Sequence, residues 1–256
     1  MKSRPILLCS LALTGLLNSC TIQLTKINKE VETTQSKTDS YPYEYYAKVP
    51  LTTDISHLTS NEKKVLELMF KAADVMDQIF WKQAYGDKTK LLKGLKGENQ
   101  KYAEINYGPW DRMNNEQSFV KDTGAKPAGA TFYPSDMTKE EFEKANLSLG
   151  KSPYSVIKRS VAGKLYALPY HKVFKEDLEK ASSYLQQASK YADDAGLKNY
   201  LQLRAKALLD DNYYPSDLAW MDMKTSNLDI VIGPIENYED QLFGYKTSYS
   251  SYVLVK

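Results

Sequence analysis

An α+β fold, mainly helical with a β-hairpin in the middle and further β-rich runs at the end, is predicted by three features of the sequence. Apolar residues recur at helical intervals from Asn61 to Tyr85. A second helical pattern occupies His171 to Ala192 and resumes from Leu197 to Leu209. Runs rich in β-branched and aromatic residues, Tyr154 to Arg159, Lys164 to Leu168, Asp229 to Ile235 and Thr247 to Val255, supply the strands.

Met1 to Ser19 reads as an export leader, with Lys2 and Arg4 ahead of an apolar stretch, Ile6 to Leu17, that is too short to span a bilayer. Leu17-Asn18-Ser19-Cys20 has the form of a bacterial lipobox, in which the Cys20 thiol takes a diacylglyceryl group. The other cysteine, Cys9, lies inside the leader, so a mature chain has one thiol and no internal disulfide. These features predict an exported, membrane-anchored bacterial lipoprotein. Thr21 to Asp39 is polar and lacks a sustained apolar period, which suits a flexible tether over residues 20–40. Order is expected from about Tyr41, giving one folded portion over 41–256.

The full chain carries 34 basic and 32 acidic residues, and losing Lys2 and Arg4 with the leader brings the balance to zero. No basic footprint for nucleic acid remains. Tyrosine, with 20 copies, combines an apolar ring with a polar tip and suits the walls of a ligand groove.

Within the folded portion, Thr59 and Glu62 stand at capping-box spacing before the first helix. Leu66, Met69, Phe70, Ala73, Met76 and Phe80 form its apolar face, and Gly86 ends it. A looser stretch follows. Thr138 and Glu141 then cap a short helix through about Asn146, and Gly163 marks the turn of the hairpin. In the later helices Gly196 is placed at the break, and Arg204 on the inner face is expected to be paired or to snorkel.

Dinucleotide, Walker, nucleophile-elbow and His-Glu-x-x-His motifs are all missing from the sequence. His57 and His171 are far apart and read as surface or structural residues, so the metal-ligand set is none. What remains is Glu236-Asn237-Tyr238-Glu239-Asp240, directly after a strand and the bend Gly233-Pro234. A carboxylate there can grip an ammonium, and a phenol can donate to a developing oxyanion. The competing reading is a solvated acidic loop.

The segments LTSNEKKVLELMFKAADVMDQIFWKQAYGD, INYGPWDRM, KPAGATFYPSDMTKEEFE, LRAKALLDDNYYPSDLAWMDM and LDIVIGPIENYEDQLFGYKTSYSSYVLV resemble the dipeptidyl peptidase III family of zinc metallopeptidases, in particular its bacterial members. The resemblance runs over nearly all of Tyr41 to Lys256. It implies an enzyme, a zinc metallo-exopeptidase that removes dipeptides from free peptide N-termini, built as two lobes around a cleft, here with helices plus part of a β-barrel-like lobe. It further implies that Glu236 binds the substrate ammonium and that Tyr238 is catalytic, stabilising the tetrahedral intermediate. Glu239, Asp240 and Gln241 receive no role from it.

The family's His-Glu-x-x-Gly-His helix is not found, so zinc belongs to the full-length family and none is expected on this chain. The run Thr247 to Val255 ends without a turn, which fits an incomplete peptidase truncated before its zinc motif. The expected partners are a peptide with a free N-terminus and, through Cys20, a membrane. The alternative reading is a non-catalytic helical surface lipoprotein that binds peptides or glycans.

Overall fold

The computed structural model describes residues 21–22 and 46–256. The leader, Cys20 and the tether region other than Thr21–Ile22 lie outside the described residues. In chain order the elements open with two short strands, β1 (Thr21–Ile22) and β2 (Ala47–Lys48), followed by helices α1 (Ser60–Ala84), α2 (Lys88–Lys93) and α3 (Glu98–Asn106). Strands β3 (Trp110–Asp111) and β4 (Gln117–Ser118) precede α4 (Lys139–Ala145) and the hairpin β5 (Ser155–Arg159) and β6 (Leu165–Pro169). Helices α5 (Tyr170–Val173), α6 (Lys175–Tyr191), α7 (Ala195–Asp210) and α8 (Tyr214–Asp222) lead into β7 (Leu228–Glu236) and β8 (Ser248–Val255).

The capping box forms as its spacing predicts. Thr59 Oγ1 accepts from the Glu62 amide at 3.1 Å, and Glu62 Oε2 accepts from the Thr59 amide at 2.7 Å. The buried face of α1 is broader than the periodic set: Val65, Leu68, Ala72, Val75 and Ile79 join Leu66, Met69, Ala73 and Met76. Phe70, assigned to that face, is exposed instead. A helix covered by α6 on one side and by the β7–β8 ribbon on another buries more than one stripe.

The helix expected over His171 to Ala192 is interrupted at Phe174, which leaves helical geometry at φ −110°, ψ 29° and separates α5 from α6. The next break falls before Gly196, not at it. Asp194 caps α7, its carboxylate accepting from the Leu197 amide at 2.7 Å, so Gly196 sits inside the first turn. Arg204 is buried and paired with Asp217, and its guanidinium lies over the rings of Tyr200 and Tyr213.

The expected β-barrel-like lobe is not what the strands build. Among the described residues there are four separate two-stranded antiparallel sheets, β1–β2, β3–β4, β5–β6 and β7–β8. A barrel requires its last strand to bond to its first, and no such ring exists among the described residues. The fold is therefore mixed α+β with small hairpins. The long β7–β8 ribbon is supported by helices in place of further strands: Leu228, Ile230, Ile232 and Tyr249 are fully buried in the same core as α1, α6 and α7. A smaller apolar cluster, Tyr46, Trp81, Leu91, Tyr102, Ala103 and Phe119, closes the far end of α1 over α2 and α3.

The start of β8 is fixed from the side by Gln83, a fully buried amide in the last turn of α1. Its Oε1 accepts from the Tyr249 amide at 2.8 Å, and Tyr170 Oη donates to the Thr247 carbonyl at 2.8 Å. One helix end and one buried phenol thus set where the ribbon begins, and with it the loop between its strands.

Candidate functional site

The acidic run lies at the end of β7 and in the loop that returns to β8. Pro234 pairs with Tyr249 and Glu236 with Ser248, so Ile235 is an extra residue, a bulge in the ladder. Bulges re-aim the side chains that follow them. Just upstream, Gly233 has φ +136°, and a Cβ there would lie 3.3 Å from the Tyr213 ring and 3.4 Å from Arg204 Nη1. Glycine is demanded at this point both by conformation and by close packing.

Beyond the bulge the run divides in two. Glu236 is half-buried and Asn237 and Tyr238 are exposed, whereas Glu239 and Asp240 are each only 3% exposed. This is not a solvated loop. The buried pair must be neutralised or heavily hydrogen-bonded, since an uncompensated carboxylate in the interior is costly.

Glu239 meets that requirement with charge. Arg112 Nη1 bonds its Oε1, and Lys126 Nζ lies 3.1 Å from its Oε2 and 2.9 Å from Glu116. Burial pushes its pKa upward, but Arg112 and Lys126 outweigh burial and hold the carboxyl below its ordinary range. Asp240 meets it with donors. Its carboxylate accepts from the amides of Leu242, Phe243, Tyr245 and Lys246 at 2.8–3.2 Å, and from Tyr133 Oη at 2.7 Å. The loop is wrapped around this one side chain.

Lys246 closes the loop. It is fully buried, and its ammonium donates to the carbonyls of Gly150 at 2.5 Å and Ser152 at 2.9 Å and to Ser155 Oγ at 2.9 Å. Its ammonium lies 5.8 Å from the Tyr133 ring, which belongs to a cluster of mutually packed rings with Phe142, Phe243 and Tyr245. Burial pushes its pKa down to about 8.

On the outward side, Tyr252 Oη of β8 lies 3.4 Å from Glu236 Oε1. Partial desolvation first, and then the nearby Glu236 charge, raise the phenol pKa of Tyr238. Tyr252 is raised in the same way, by desolvation and then by Glu236. Glu236 and Tyr238, singled out from sequence, stand two residues apart at the bulged end of β7, and the phenol bonded to the Glu236 carboxylate is that of Tyr252. Tyr252, Glu239 and Asp240 escaped sequence reasoning, because the cations that compensate Glu239, Arg112 and Lys126, are distant in the chain and no local spacing marks the pairing. Cys20 lies outside the described residues.

Among the described residues no group of three or more His, Cys, Asp or Glu side chains is placed to hold a metal ion. His57 is exposed, and His171 Nδ1 is 2.8 Å from Asp211 Oδ2. These residues do not fit a zinc centre. Among the described residues, too, no helix is long and apolar enough to cross a membrane.

No family model matches the sequence. Solved structures do. The structure of DPP III from Caldithrix abyssi superposes with a TM-score of 0.75 at 40% identity, covering 80% of this chain and 41% of that one. The chain shares the dipeptidyl peptidase III fold. Dipeptidyl-peptidase III from Corallococcus sp. strain EGB gives a TM-score of 0.76 at 30% identity over 81% of this chain and 41% of that chain. Among curated proteins, Nudix hydrolase 3 of Arabidopsis thaliana is 30% identical over 276 aligned positions, 82% of this chain and 35% of the plant protein. The chain thus spans about two-fifths of the solved dipeptidyl peptidase III structures and about a third of the plant relative.

Proposed function

We propose that this chain is the substrate-gripping portion of a dipeptidyl peptidase that acts on peptides with free N-termini. Glu236 receives the terminal ammonium, and Tyr238 donates to the carbonyl oxygen as negative charge develops on it. The observation that carries the reading is the division of the acidic run: Glu239 and Asp240 are locked inside, and Glu236 and Tyr238 are presented together at the bulged end of β7. A rigid strand end that faces outward holds reacting groups more precisely than a free loop. The likeness to the dipeptidyl peptidase III structures supports the substrate class.

The reading divides the chain into a leader over 1–19, a tether over 20–40 and the peptidase portion over 41–256, with Cys20 lipidated and the protein exported to a membrane surface. Zinc is assigned to the complete enzyme. Binding of the amine and stabilisation of the oxyanion are the two tasks of the residues described above.

The test is the affinity for a short peptide with and without an acetylated amine. The free peptide binds more tightly, and Glu236→Gln abolishes the difference, at a cost of roughly 10- to 100-fold for a charge-assisted contact. Equal binding of free and acetylated peptides would refute the assignment. In a protein extended to the length of the solved relatives, Tyr238→Phe lowers kcat by on the order of 100-fold or more with little change in binding.

A further inference from the structure

The segment KTKLLKGLK, Lys88 to Lys96, carries four lysines and no acid in a chain whose total charge is close to balance. It covers α2 and the turn after it. Leu91 is buried in the small cluster with Tyr46, Trp81, Tyr102 and Phe119, and Leu92 and Leu95 pack against that cluster. With its leucines turned inward, the segment leaves Lys90, Lys93 and Lys96 exposed. Among the described residues none of these three ammonium groups stands in an ion pair. The neighbouring acids are spent elsewhere: Asp87 Oδ1 caps α2 by accepting from the Lys90 amide at 2.9 Å, and Glu98 pairs with Lys101 at 2.9 Å.

A run of lysines by itself is commonly just a solvated face. Here the start of the chain converges on the same end of the molecule. Tyr46 lies edge-on to Tyr102 with ring centroids 5.6 Å apart, and two residues later the exposed Lys48 belongs to β2. The partner of β2 is β1, with Thr21 opposite Lys48 and Ile22 opposite Ala47. Thr21 follows Cys20 directly, so the backbone brings position 20 beside Lys48, and the proposed tether is pinned close to its start. The far end of α1 is marked by Asn61, whose amide donates to Asp193 Oδ1 at 2.9 Å, just ahead of α7. A helix of 25 residues, about 37 Å long, separates the two ends.

Resting on the reading of Cys20 as lipidated, we propose that Lys48, Lys90, Lys93 and Lys96 form the face that this protein lays on an anionic phospholipid surface, so that the C-terminal end of α1 points to the bilayer and its N-terminal end points away. The charge of the face is complementary to phosphate headgroups, and an anchor attached one residue before β1 holds it at high effective concentration beside them. Because the leucines of the segment are committed to the cluster, the contact is made by charge and not by insertion. It is therefore sensitive to salt, and it sets orientation where the lipid sets attachment.

The experiment uses the chain expressed with its leader in a bacterium and reconstituted into vesicles of phosphatidylcholine, alone or mixed with phosphatidylglycerol. Intact mass shows whether Cys20 carries its lipid. A fluorophore is placed on Thr89→Cys in α2 or on Asn199→Cys in α7, and a quencher is carried on the lipid headgroups. The expected result is that on the anionic vesicles the α2 label is quenched several-fold more than the α7 label. The difference disappears on pure phosphatidylcholine, at about 1 M salt, where the Debye length is about 3 Å, and when Lys48, Lys90, Lys93 and Lys96 are all replaced by Gln. Replacing the exposed Lys158, Lys164, Lys172 and Lys206 by Gln leaves the difference intact. If the lipidated protein shows equal quenching of the two labels, or if the second set of replacements acts like the first, the proposal is overturned and the anchor stands. If the mass shows no lipid, the anchor reading fails, and flotation of the unlipidated chain decides the face. Flotation with the anionic vesicles that weakens on the order of 100-fold or more in the first variant, at about fivefold per lysine, supports it, and no flotation overturns it. Tighter binding of the same lysines to duplex DNA than to the vesicles would make this a nucleic-acid surface and overturn the proposal as well.

Discussion

Replacing Lys246 by Met tests how the site loop is held. The ammonium is fully buried, with two carbonyls and one hydroxyl as its acceptors and the Tyr133 ring 5.8 Å away. Its pKa falls from an ordinary 10.5 to about 8 because burial penalises the charged form more than the nearby Asp240 charge favours it. A lowered lysine pKa means that the native chain binds this proton less readily than the unfolded chain. Below pH 8 both states are protonated and the penalty is present in full; as pH rises from about 8 to 10.5 the native lysine is neutral while the unfolded one is still charged, and stability increases.

The lowering from 10.5 to about 8 corresponds to roughly 3 kcal/mol, most of which is recovered between pH 7 and pH 10. Above pH 10 the sign reverses. Tyr133, Tyr170, Tyr213 and Tyr249 are kept protonated in the native state chiefly by burial, so the unfolded chain then loses protons that the native chain retains. Urea unfolding of the wild type and Lys246→Met at half-unit intervals from pH 7 to pH 10 measures the difference. Wild-type stability should rise relative to the variant by roughly 2–3 kcal/mol over this range. A difference that is flat, or that falls with pH, would refute the argument from burial, whatever the absolute stability of the variant.

Gly233→Ala should destabilise by about 1–3 kcal/mol, because it imposes a strained φ of +136° and brings a methyl against Tyr213 and Arg204; denaturant midpoints at constant m-value check it. Glu239→Gln leaves Arg112 and Lys126 facing a neutral amide in the interior and should cost about 3 kcal/mol, read by thermal unfolding, with the loss reduced in a double variant that also removes Arg112. Cys20→Ser should move the protein from the detergent phase to the aqueous phase, because a diacyl chain supplies the membrane affinity; retention in the detergent phase would refute the lipid anchor. After dialysis against a weak chelator the chain should retain less than stoichiometric zinc, measured by atomic absorption.

The parts of the fold that were legible in sequence are those governed by local rules. The cap at Thr59, the short helix begun by Thr138 and the turn at Gly163 each depend on a few adjacent residues and stand where spacing puts them. Helices α2 and α3 went unread because they are short and cap one end of α1 with scattered aromatics in place of a periodic face. Helix α8 went unread for the opposite reason: Tyr214, Leu218 and Met221 are exposed, so its apolar residues do not mark the buried side. The barrel expectation failed at a longer range. Alternation identifies a strand with one buried face, but it does not reveal whether helices or other strands cover that face, and for β7 and β8 it is helices.

The same limit explains the acidic run, where composition suggested solvent and the partners decide otherwise. Three carboxylates occur within five residues, and mutual repulsion would favour spreading them into water unless each is compensated. Glu239 is compensated by Arg112 and Lys126, which arrive from segments more than a hundred residues upstream. Asp240 is compensated by the amides of its own loop and by Tyr133. Glu236 is left with the Tyr252 phenol, which carries no charge. Neutralising two acids internally therefore does more than fold the loop: it isolates the third as an uncompensated negative charge at a rigid, outward-facing strand end. Such a charge is complementary to a small cation and not to an anion or a neutral group, and this remains true whether or not the protein that carries it completes a catalytic centre.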